Sequence, residues 1–521
     1  MEGQKGTPGR LHGVSASIVQ AVRKMTPLRT GESVILASEF DYAGMIYSHA
    51  AVLPHLAEIL KATPCSYSFT ENGRSRMSDV YESIGLIRRL GNKQAAASAR
   101  RGDSWLESVF RKIKSRNELL HATIDGFPIG MVVYDTYMRQ FGMPTIDLED
   151  PRLHDIARAA ARILYAAVAF FDRYNVKAVF PDHLVYNFSG ILAQLAWERG
   201  IPVYCYSFAR AFYLYRIPPK RMEVPSLEVP YQHTFDRYPE DFARLDDQVS
   251  RLERARVAID AHLSGQKKDL IFGGHSAYDD RSGVPKLPPA TRPRILVMLH
   301  DFCDAPHVYG KFLFPDFTDW VEHLLNRAKD TGFEWLIKPH PNLQDKSRAH
   351  LNRANDEMVE QIRKRHPWVT ILPPDYPNKQ VIEDGVKALF TVRGSAGHEF
   401  AYLGIPVVNA GPNPHMRYAF NFHPETLEEY DTFIRNADQL DVQGTRSDIE
   451  EFYYMRYLSM IERFGADFSP IPPEGKAAIA ARPTVESVRE WQETHGAGIR
   501  EKAGTYVKKA YHLHEQLARP G

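Results

Sequence analysis

Hydrophobic positions along the chain form short apolar runs that alternate with longer amphipathic stretches. The run SVILASEF at 33–40 is typical of a buried strand, and the apolar positions from Ile46 to Leu60 recur at helical spacing. Residues 77–123 are highly charged and helix-rich in pattern. Strands that alternate with amphipathic helices predict an α/β fold with parallel strands.

A second group of elements follows and ends in a strand–helix–strand unit. Its predicted members are a strand that opens PIGMVVYDTYMRQ at 128–140, a helix at 152–174, a strand at 177–182, a helix at 188–200 and a strand at 201–207. Gly200 closes the last helix, since glycine is favoured directly after a helix end. The strand–helix–strand order predicts a parallel sheet in this part of the chain.

The composition changes at 265–292, which is rich in glycine, proline and charge and is predicted to connect two domains. After it the alternation restarts. The predicted elements are strands at 294–300, 333–340, 368–374, 387–392 and 405–410, with helices at 316–332, about 352–365, about 378–385 and a short one before the last strand. Residues 424–521 are mainly helical in pattern, with a break at 469–476.

Five segments follow from these changes of pattern. They are an N-terminal extension at 1–30, an N-terminal Rossmann-like domain at 31–265, a linker at 266–292, a C-terminal Rossmann-like domain at 293–425 and a helical segment at 426–521. A length of 521 residues exceeds one ordinary domain and agrees with two such halves. We expect a central cleft between them, because ligands of open parallel sheets bind beyond the carboxyl ends of the strands.

Composition narrows the class of protein. Lys and Arg number 65 against 64 Asp and Glu, so the net charge of +1 gives no general attraction to nucleic acid. Cys65, Cys205 and Cys303 are far apart, which argues against a disulfide framework and favours a reducing compartment. The first residues lack the apolar core of a signal peptide, and charged residues interrupt the most apolar helix, at 155–174. We therefore expect a soluble cytoplasmic protein.

The loop after the strand at 294–300, HDFCDAPHVYG, concentrates potential ligand residues. His300, Asp301, Asp304 and His307 lie within eight positions. Histidine and aspartate bind metals, but the spacing matches no known zinc or iron signature. Contact with a nucleotide or substrate, and a purely structural loop, are the other two interpretations. No metal is required, because cationic side chains and a helix end can neutralise a phosphate.

The next strand ends in KPHPN at 338–342. Prolines on both sides of His340 fix the backbone around it. Lys338 and His340 then form a cationic pair suited to phosphate, and His340 can also donate a proton. The alternative is a turn that simply ends an inner strand.

The stretch TVRGSAGHEFAYLGIPVVNAG at 391–411 follows a third strand. Gly394 permits a positive φ or the close approach of a ligand, and Ser395 is a favoured N-cap residue. The free N–H groups of the first helical turn then suit an anion. Glu399 either stabilises the helix dipole or accepts hydrogen bonds from two ribose hydroxyls. The orientation of His398 is left open by the pattern.

KPHP, followed about fifty residues later by GSAGHEFAYLGIPVV, resembles the C-terminal half of GT-B glycosyltransferases. The resemblance is closest to the bacterial capsule and surface-carbohydrate biosynthesis group, which includes Kdo transferases and is distantly similar to sialyltransferases that use CMP-sialic acid. The stretches at 129–139 and 182–196 are also similar to this group. The chain departs from the commoner form in having RGSAG where two adjacent hydroxyl residues are usual.

The resemblance implies a GT-B fold, in which an N-terminal acceptor domain and a C-terminal nucleotide-sugar donor domain face a central cleft. It implies that His340 and Ser395 bind the phosphate of the donor and that Glu399 binds the ribose. Together with the strand-end residues above, the predicted nucleotide-sugar site comprises His300, Lys338, His340, Gly394, Ser395 and Glu399.

Sugar transfer needs a group that stabilises the departing phosphate and a base that takes a proton from the acceptor hydroxyl. His340 suits the first task. For the second, the predicted candidates in the N-terminal half are Asp41, Asp135, Asp182 and His183, each placed after a predicted strand. Asp135 has an alternative role as the ion-pair partner of Arg139.

We therefore expect a glycosyltransferase that moves a sugar, such as CMP-activated Kdo or a sialic-like acid, to a surface polysaccharide, a glycan or a lipid-linked glycan. No cofactor and no nucleic-acid partner are expected, the sequence requires no metal, and the expected location is the cytoplasm or the periphery of the inner membrane. A sugar-nucleotide epimerase of the UDP-sugar 2-epimerase type and a non-catalytic nucleotide- or glycan-binding component are the alternatives.

Overall fold

The computed structural model describes residues 30–67, 77–88, 92–207, 211–220, 229–265, 277–278, 286–340, 349–465, 468–470 and 483–518. The predicted N-terminal extension at 1–30, apart from its last residue, lies outside the described residues. So do most of the predicted linker at 266–292 and most of the predicted break at 469–476.

The N-terminal half is built on a four-stranded parallel sheet. Its strands and those of two short antiparallel pairs are β1 (Ser33–Ser38), β2 (Thr63–Tyr67), β3 (Ile87–Arg88), β4 (Thr123–Ile124), β5 (Phe127–Pro128), β6 (Asn175–Phe180), β7 (Tyr204–Ser207) and β8 (Tyr213–Arg216). The sheet order is β3-β2-β1-β6. β4 pairs with β5 and β7 with β8. The predicted parallel continuation after β6 is reduced to one bridge, between Val179 and Val203.

The C-terminal half is built on a five-stranded parallel sheet. Its strands are β9 (Arg294–Met298), β10 (Glu334–Lys338), β11 (Thr370–Ile371), β12 (Val386–Thr391) and β13 (Val407–Asn409). The order is β11-β10-β9-β12-β13, and all four pairs are parallel. β9 and β12 are almost wholly buried, as expected of a parallel sheet that is covered on both faces. The predicted α/β class with two parallel sheets is confirmed.

Helices cover both sheets. They are α1 (Ala43–Leu60), α2 (Ser78–Ser83), α3 (Asn92–Ser108), α4 (Arg116–Leu120), α5 (Gly130–Phe141), α6 (Pro151–Arg173), α7 (Ile191–Glu198), α8 (Pro230–Asp236), α9 (Tyr238–Ala243), α10 (Gln248–Leu263), α11 (Phe317–Ala328), α12 (Ala349–Arg365), α13 (Asn378–Glu383), α14 (Ala396–Tyr402), α15 (Leu427–Arg435), α16 (Arg446–Tyr453), α17 (Met460–Phe464), α18 (Val485–Thr494) and α19 (Gly496–Ala518). Short 3-10 turns at Phe110–Lys112 and Ala437–Gln439, and π-helical turns at Tyr186–Gly190 and Tyr454–Ser459, complete the set. Within the described ranges, no helix has the length and apolar character needed to cross a membrane.

The predicted strand at the start of 128–140 is wrong, because these residues form helix α5. The paired valines there are typical of a strand, but Val133, Tyr134 and Tyr137 are all buried at helical spacing. Gly130 allows the first turn to pack closely, since a Cβ at this position would lie 1.8 Å from the carbonyl oxygen of Leu119. Asp135 consequently lies in the middle of a helix and not at a strand end.

The hydrophobic cores show which half each connecting helix joins. Phe235 of α8 and Ile259 of α10 share a core with Leu296 of β9, so these helices pack against the second sheet. Val507 of α19 shares a core with Ile35 of β1, so the last helix returns to the first sheet. The chain therefore crosses between the halves more than once.

Candidate functional site

Both sheets reverse their winding direction at one point. In the first, the chain runs outward from β1 through β2 to β3 and then adds β6 on the other side of β1. In the second, it runs from β9 through β10 to β11 and then adds β12 on the other side of β9. Ligands of open α/β sheets bind beyond the strand ends at such switch points. We therefore expect a ligand to bind at the loops after β1, β6, β9 and β12.

The loops after β6 and β9 contact each other across the two halves. Tyr186 donates a hydrogen bond of 3.1 Å to Oδ1 of Asp304. Arg139 Nη1 lies 3.6 Å from the Asp304 carboxylate and 3.9 Å from that of Asp301. We call this contact region, with Asp182, His183 and Arg393 beside it, the seam. The side chains of His183 and Asp304 are 52% and 50% exposed, so the seam is open to solvent.

Asp182 and His183, predicted as catalytic candidates, form a pair directly after β6. His183 Nδ1 lies 3.0 Å from Asp182 Oδ2, and Ser189 donates to the other carboxylate oxygen. Burial lowers the pKa of His183, but the hydrogen bond and charge of Asp182 outweigh it, so the pKa is raised overall. A carboxylate that fixes Nδ1 leaves Nε2 to accept a proton from a hydroxyl group.

Asp41 lies close to this pair, in the loop after β1. The neighbouring ring of Phe40 is 5.8 Å from that of His183, which brings the two strand ends together. Asp41 is exposed. Burial raises the pKa of Tyr81, and the charges of Asp182 and Asp41 raise it further, so both carboxylates face the same phenol.

Asp135 has a different environment from the one predicted. It is buried, and its two oxygens accept hydrogen bonds from His307 Nδ1 at 2.6 Å and from the His307 backbone N–H at 3.3 Å. The alternative pairing with Arg139 is wrong, since Arg139 contacts Asp301 and Asp304 instead. Asp135 thus links α5 to the loop after β9.

His300 organises the backbone after β12. Its Nε2 accepts hydrogen bonds of 3.2 Å from the N–H groups of both Val392 and Arg393, and its ring stacks on Phe317 at 4.7 Å. Burial, with smaller contributions from Arg393 and His340, holds its pKa well below the usual range. His300 is therefore neutral, and it positions the loop after β12.

Arg393 supplies a positive charge in this loop, although it was not among the predicted site residues. Its guanidinium donates hydrogen bonds of 2.7 Å to the carbonyl oxygens of Asp304 and Ala305 and lies 5.2 Å from the ring centre of Phe317. It ties the loop after β12 to the loop after β9. The signal was its position beside the Gly-Ser turn, directly after a predicted strand.

Lys338 and His340, at the end of β10, have different neighbours. Lys338 is 6% exposed and donates to the side-chain oxygen of Asn378, so its ammonium group is used inside the C-terminal half. His340 lies close enough to His300 for its charge to lower the pKa of that ring. A Cβ on Gly394 would lie 3.8 Å from His300 Cε1. The three predicted strand-end features therefore converge around His300.

The first turn of α14 differs in detail from the prediction. Ser395 occupies the N-cap position but makes no side-chain capping hydrogen bond, and it is exposed. Gly394 is not among the described glycines with positive φ, and a Cβ there would make only ordinary contacts. Gly397 is the tightly packed glycine, since its Cβ would lie 2.4 Å from His415 Nε2.

Glu399 is already held by protein donors. Its oxygens accept hydrogen bonds from Tyr278 Oη at 2.9 Å and from His262 Nε2 at 3.3 Å. Burial raises the pKa of Glu399, but the hydrogen bond and charge of His262 outweigh it and lower the pKa to about 2. His398 packs inside, with ring centres 5.1 Å from Phe452 and 5.6 Å from Tyr457. The predicted ribose contact of Glu399 stays a prediction.

The loop after β9 does not gather its polar residues into one cluster. Asp301 accepts hydrogen bonds from the Cys303 N–H and the Asn355 amide, whereas His307 turns to Asp135. Among the residues that the structure describes, no group of three or more His, Cys, Asp or Glu side chains is arranged to hold a metal ion. The three cysteines are buried and form no disulfide.

Neither a protein-family model nor a curated protein sequence matches this chain. Solved structures that resemble it include a β-Kdo 2,4-transferase, KpsC of Thermosulfurimonas dismutans, with 14% identity, a TM-score of 0.34 and coverage of 54% of this chain and 79% of that one. A glycosyltransferase from Rickettsia africae has 10% identity, a TM-score of 0.23 and coverage of 89% and 98%. A UDP-N-acetylglucosamine 2-epimerase has 9% identity, a TM-score of 0.21 and coverage of 84% and 96%. With TM-scores this low, the functional assignment has to rest on the residues of this chain.

Proposed function

We propose that the protein is a GT-B-type glycosyltransferase that uses a nucleotide sugar. The observation that carries the proposal is the meeting of the two switch points: the loop after β6, with Asp182 and His183, contacts the loop after β9 through Tyr186 and Asp304. One strand end brings a histidine–carboxylate pair. The C-terminal half brings the His-Pro motif after β10 and the Gly-Ser motif after β12, which resemble a sugar-nucleotide site.

In this proposal His183 is the general base. Its Nε2 takes the proton of the acceptor hydroxyl while the acceptor oxygen forms a bond to the anomeric carbon of the sugar and the bond from that carbon to the donor phosphate breaks. Asp182 holds Nδ1 and stabilises the imidazolium ion that results. The nucleotide leaves with the negative charge, which His340 and the exposed hydroxyl of Ser395 stabilise through hydrogen bonds.

The proposed donor carries an acidic sugar activated by CMP, and the proposed acceptor is a surface polysaccharide or a lipid-linked glycan. The sequence resemblance supports both. Glu399 then binds the ribose by exchanging one of its present donors for a ribose hydroxyl.

A binding screen of CMP, CDP, UDP and GDP, followed by a transfer assay with the sugar of the preferred nucleotide, tests the proposal. We expect His183→Gln to retain nucleotide binding and to lower the transfer rate roughly 10²- to 10⁴-fold, the usual contribution of a general base. His121→Gln is the matched control, because His121 is an exposed histidine outside the seam.

Three results would reject the proposal in different ways. Full transfer activity in His183→Gln would remove His183 as the base. Conversion of UDP-N-acetylglucosamine to its 2-epimer without any acceptor would favour the epimerase alternative. Absence of binding to all four nucleotides would favour a non-catalytic component.

A further inference from the structure

Arg456 is presented by the π-helical turn Tyr454–Ser459, which continues α16. π-helical turns insert an extra residue into a helix and are frequent at functional sites. The guanidinium carbon of Arg456 lies 4.6 Å from the ring centre of Phe235 and 5.9 Å from that of Tyr457. Arg456 is thus a partly buried cation between aromatic rings.

Among the residues that the structure describes, Arg456 has no acidic partner of the kind that neighbouring arginines have. Arg251 pairs with Glu462 and Arg417 with Asp236, both at 3.2 Å. Within the described ranges no aspartate or glutamate lies within 4.0 Å of the Arg456 guanidinium. The groups around it are tyrosine phenols, and they are neutral because burial raises the pKa of Tyr238 and Tyr309. Removing a guanidinium from water without a counter-ion is unfavourable, so an arginine in this setting favours an anion from outside the chain.

The position of Arg456 relates it to the candidate donor site. Burial raises the pKa of Tyr309, and the charges of Arg456 and Arg393 both oppose that rise, so the two guanidinium groups flank the same phenol. Arg393 lies 5.8 Å from the Tyr309 ring centre. On its other side, Arg456 contacts Tyr457, which packs on His398 in the first turn of α14. One aromatic side chain, Tyr309, therefore separates Arg456 from Arg393, and another, Tyr457, separates it from His398, both in the segment after β12.

Buried polar atoms without partners lie in the same region. Gln232 Oε1 and Asn421 Oδ1 have no hydrogen-bond partner among the described residues. Gln232 is on α8, like Phe235, and Asn421 lies next to His415, which packs at 6.3 Å from His398 and directly against Gly397. Buried polar atoms in native proteins are nearly always paired, so these two indicate that water or a ligand enters here.

We propose that Arg456 is an anion-binding residue of the donor site, which holds a phosphate or carboxylate group of the substrate. The planar fork of a guanidinium matches two oxygens of either group, and the rings of Phe235 and Tyr457 fix its plane. The ligand identity rests on the proposed function, whereas the anion-binding role itself does not. The residue comes from the helical C-terminal segment, outside the two motifs that resemble a sugar-nucleotide site.

Isothermal titration of the full-length chain with four probes tests this inference. The probes are CMP, cytidine, inorganic pyrophosphate and free Kdo, which separate phosphate from nucleoside and from sugar carboxylate. The variants are Arg456→Gln and Arg456→Lys, with Arg363→Gln as control, because Arg363 is 59% exposed and pairs with Glu360 on α12. Circular dichroism checks that each variant is folded.

If the phosphate is the ligand, Arg456→Gln weakens the binding of CMP and pyrophosphate roughly 10- to 100-fold, as expected for one lost charge-assisted contact, and leaves cytidine binding unchanged. If the sugar carboxylate is the ligand, Arg456→Gln shows the same loss of affinity for Kdo and for none of the other three probes. Arg456→Lys keeps the charge without the planar fork, so we expect its affinity for the same probes to fall at least about 3-fold. This second variant tests the inference even if Arg456→Gln does not fold.

Two outcomes overturn the inference. One is equal affinity of wild type and both Arg456 variants for all four probes. The other is a wild-type protein that binds none of them. Binding of pyrophosphate that depends on Arg456, in a protein that binds none of CMP, CDP, UDP and GDP, would support the inference and reject the proposed function.

Discussion

Glu399 remains ionised inside the C-terminal half because two donors hold it. Its pKa, lowered to about 2 mainly by His262 against the effect of burial, makes it a source of pH-dependent stability. A carboxyl group with a lower pKa in the folded state than in the unfolded state stabilises the fold above the unfolded value of 4.5. That stabilisation is lost as the pH falls from there towards 2.

We therefore predict that Glu399→Gln destabilises the protein at pH 7 by at most roughly 3 kcal/mol, the equivalent of the pKa difference. The deficit relative to wild type should shrink at pH 4 and shrink further at pH 3, because the unfolded wild type is then protonated at Glu399 while the folded state still resists protonation. Urea unfolding at the three pH values measures it. Glu428→Gln, at an exposed position at the start of α15, is the control. A deficit that is constant with pH would contradict the assignment.

Some residue roles in the candidate site can be predicted from the sequence, and others depend on contacts between distant parts of the chain. Asp182 was predicted together with His183 as a candidate, and in the structure the two side chains form a pair just after β6. His300 was predicted as a contact of the nucleotide sugar; its role in positioning the loop depends on backbone N–H groups about ninety residues away, which no local pattern reveals. Arg456 could not be predicted, since its significance depends on its aromatic neighbours in three dimensions and on the lack of an acidic partner among the described residues.

At the scale of elements, α14 depends on one close contact. Gly397 lies on the face of α14 that meets His415 and Asn421. We predict that Gly397→Ala destabilises the protein by about 1–3 kcal/mol, as overpacking of a tight interior does, and weakens nucleotide binding by shifting the first turn. Chemical denaturation and nucleotide titration measure the two effects.

Gly498→Ala provides the matched control for this substitution. Gly498 is also helical, in α19, but a Cβ there meets no atom within 4 Å. Alanine at an open helical position is expected to stabilise by up to about 1 kcal/mol, because it reduces the entropy of the unfolded chain and favours the helix. Equal effects of the two substitutions would show that the contact with His415 is unimportant.

Strands and long helices were largely predictable, and the exceptions have physical reasons. β9, β10 and β12 are continuous apolar runs that end in polar loops, a pattern with one simple interpretation. In α5 the local valine pair favoured a strand, and burial of tyrosines at helical spacing overrode it. The π-helical turn at Tyr454–Ser459 has no sequence signature, because its extra residue is set by tertiary packing.

At the scale of the whole molecule, Asp316 connects the two halves. This buried carboxylate accepts hydrogen bonds of 2.6 Å from both Tyr134 and Thr145 and lies 3.1 Å from Arg116, all in the N-terminal half. It also caps α11 in the C-terminal half. The buried pair of Asp135 and His307 lies between the same two segments. The placement of His183 opposite the C-terminal loops therefore depends on a few charged contacts.

Replacement of Asp316 by asparagine tests that dependence, since asparagine can still cap α11 but carries no charge. We predict a loss of about 2–4 kcal/mol in the free energy of unfolding, because the charged partner of three donors is removed from a buried site. Nucleotide binding, which the C-terminal half supplies, should persist, whereas the transfer rate should fall about 10-fold or more because base and donor are no longer aligned. Asp319→Asn is the control: Asp319 is 29% exposed and pairs with the same Arg116, so its loss should cost under about 1 kcal/mol. If Asp316→Asn lowers nucleotide affinity and transfer equally, the contact supports the donor half alone and does not align the two halves.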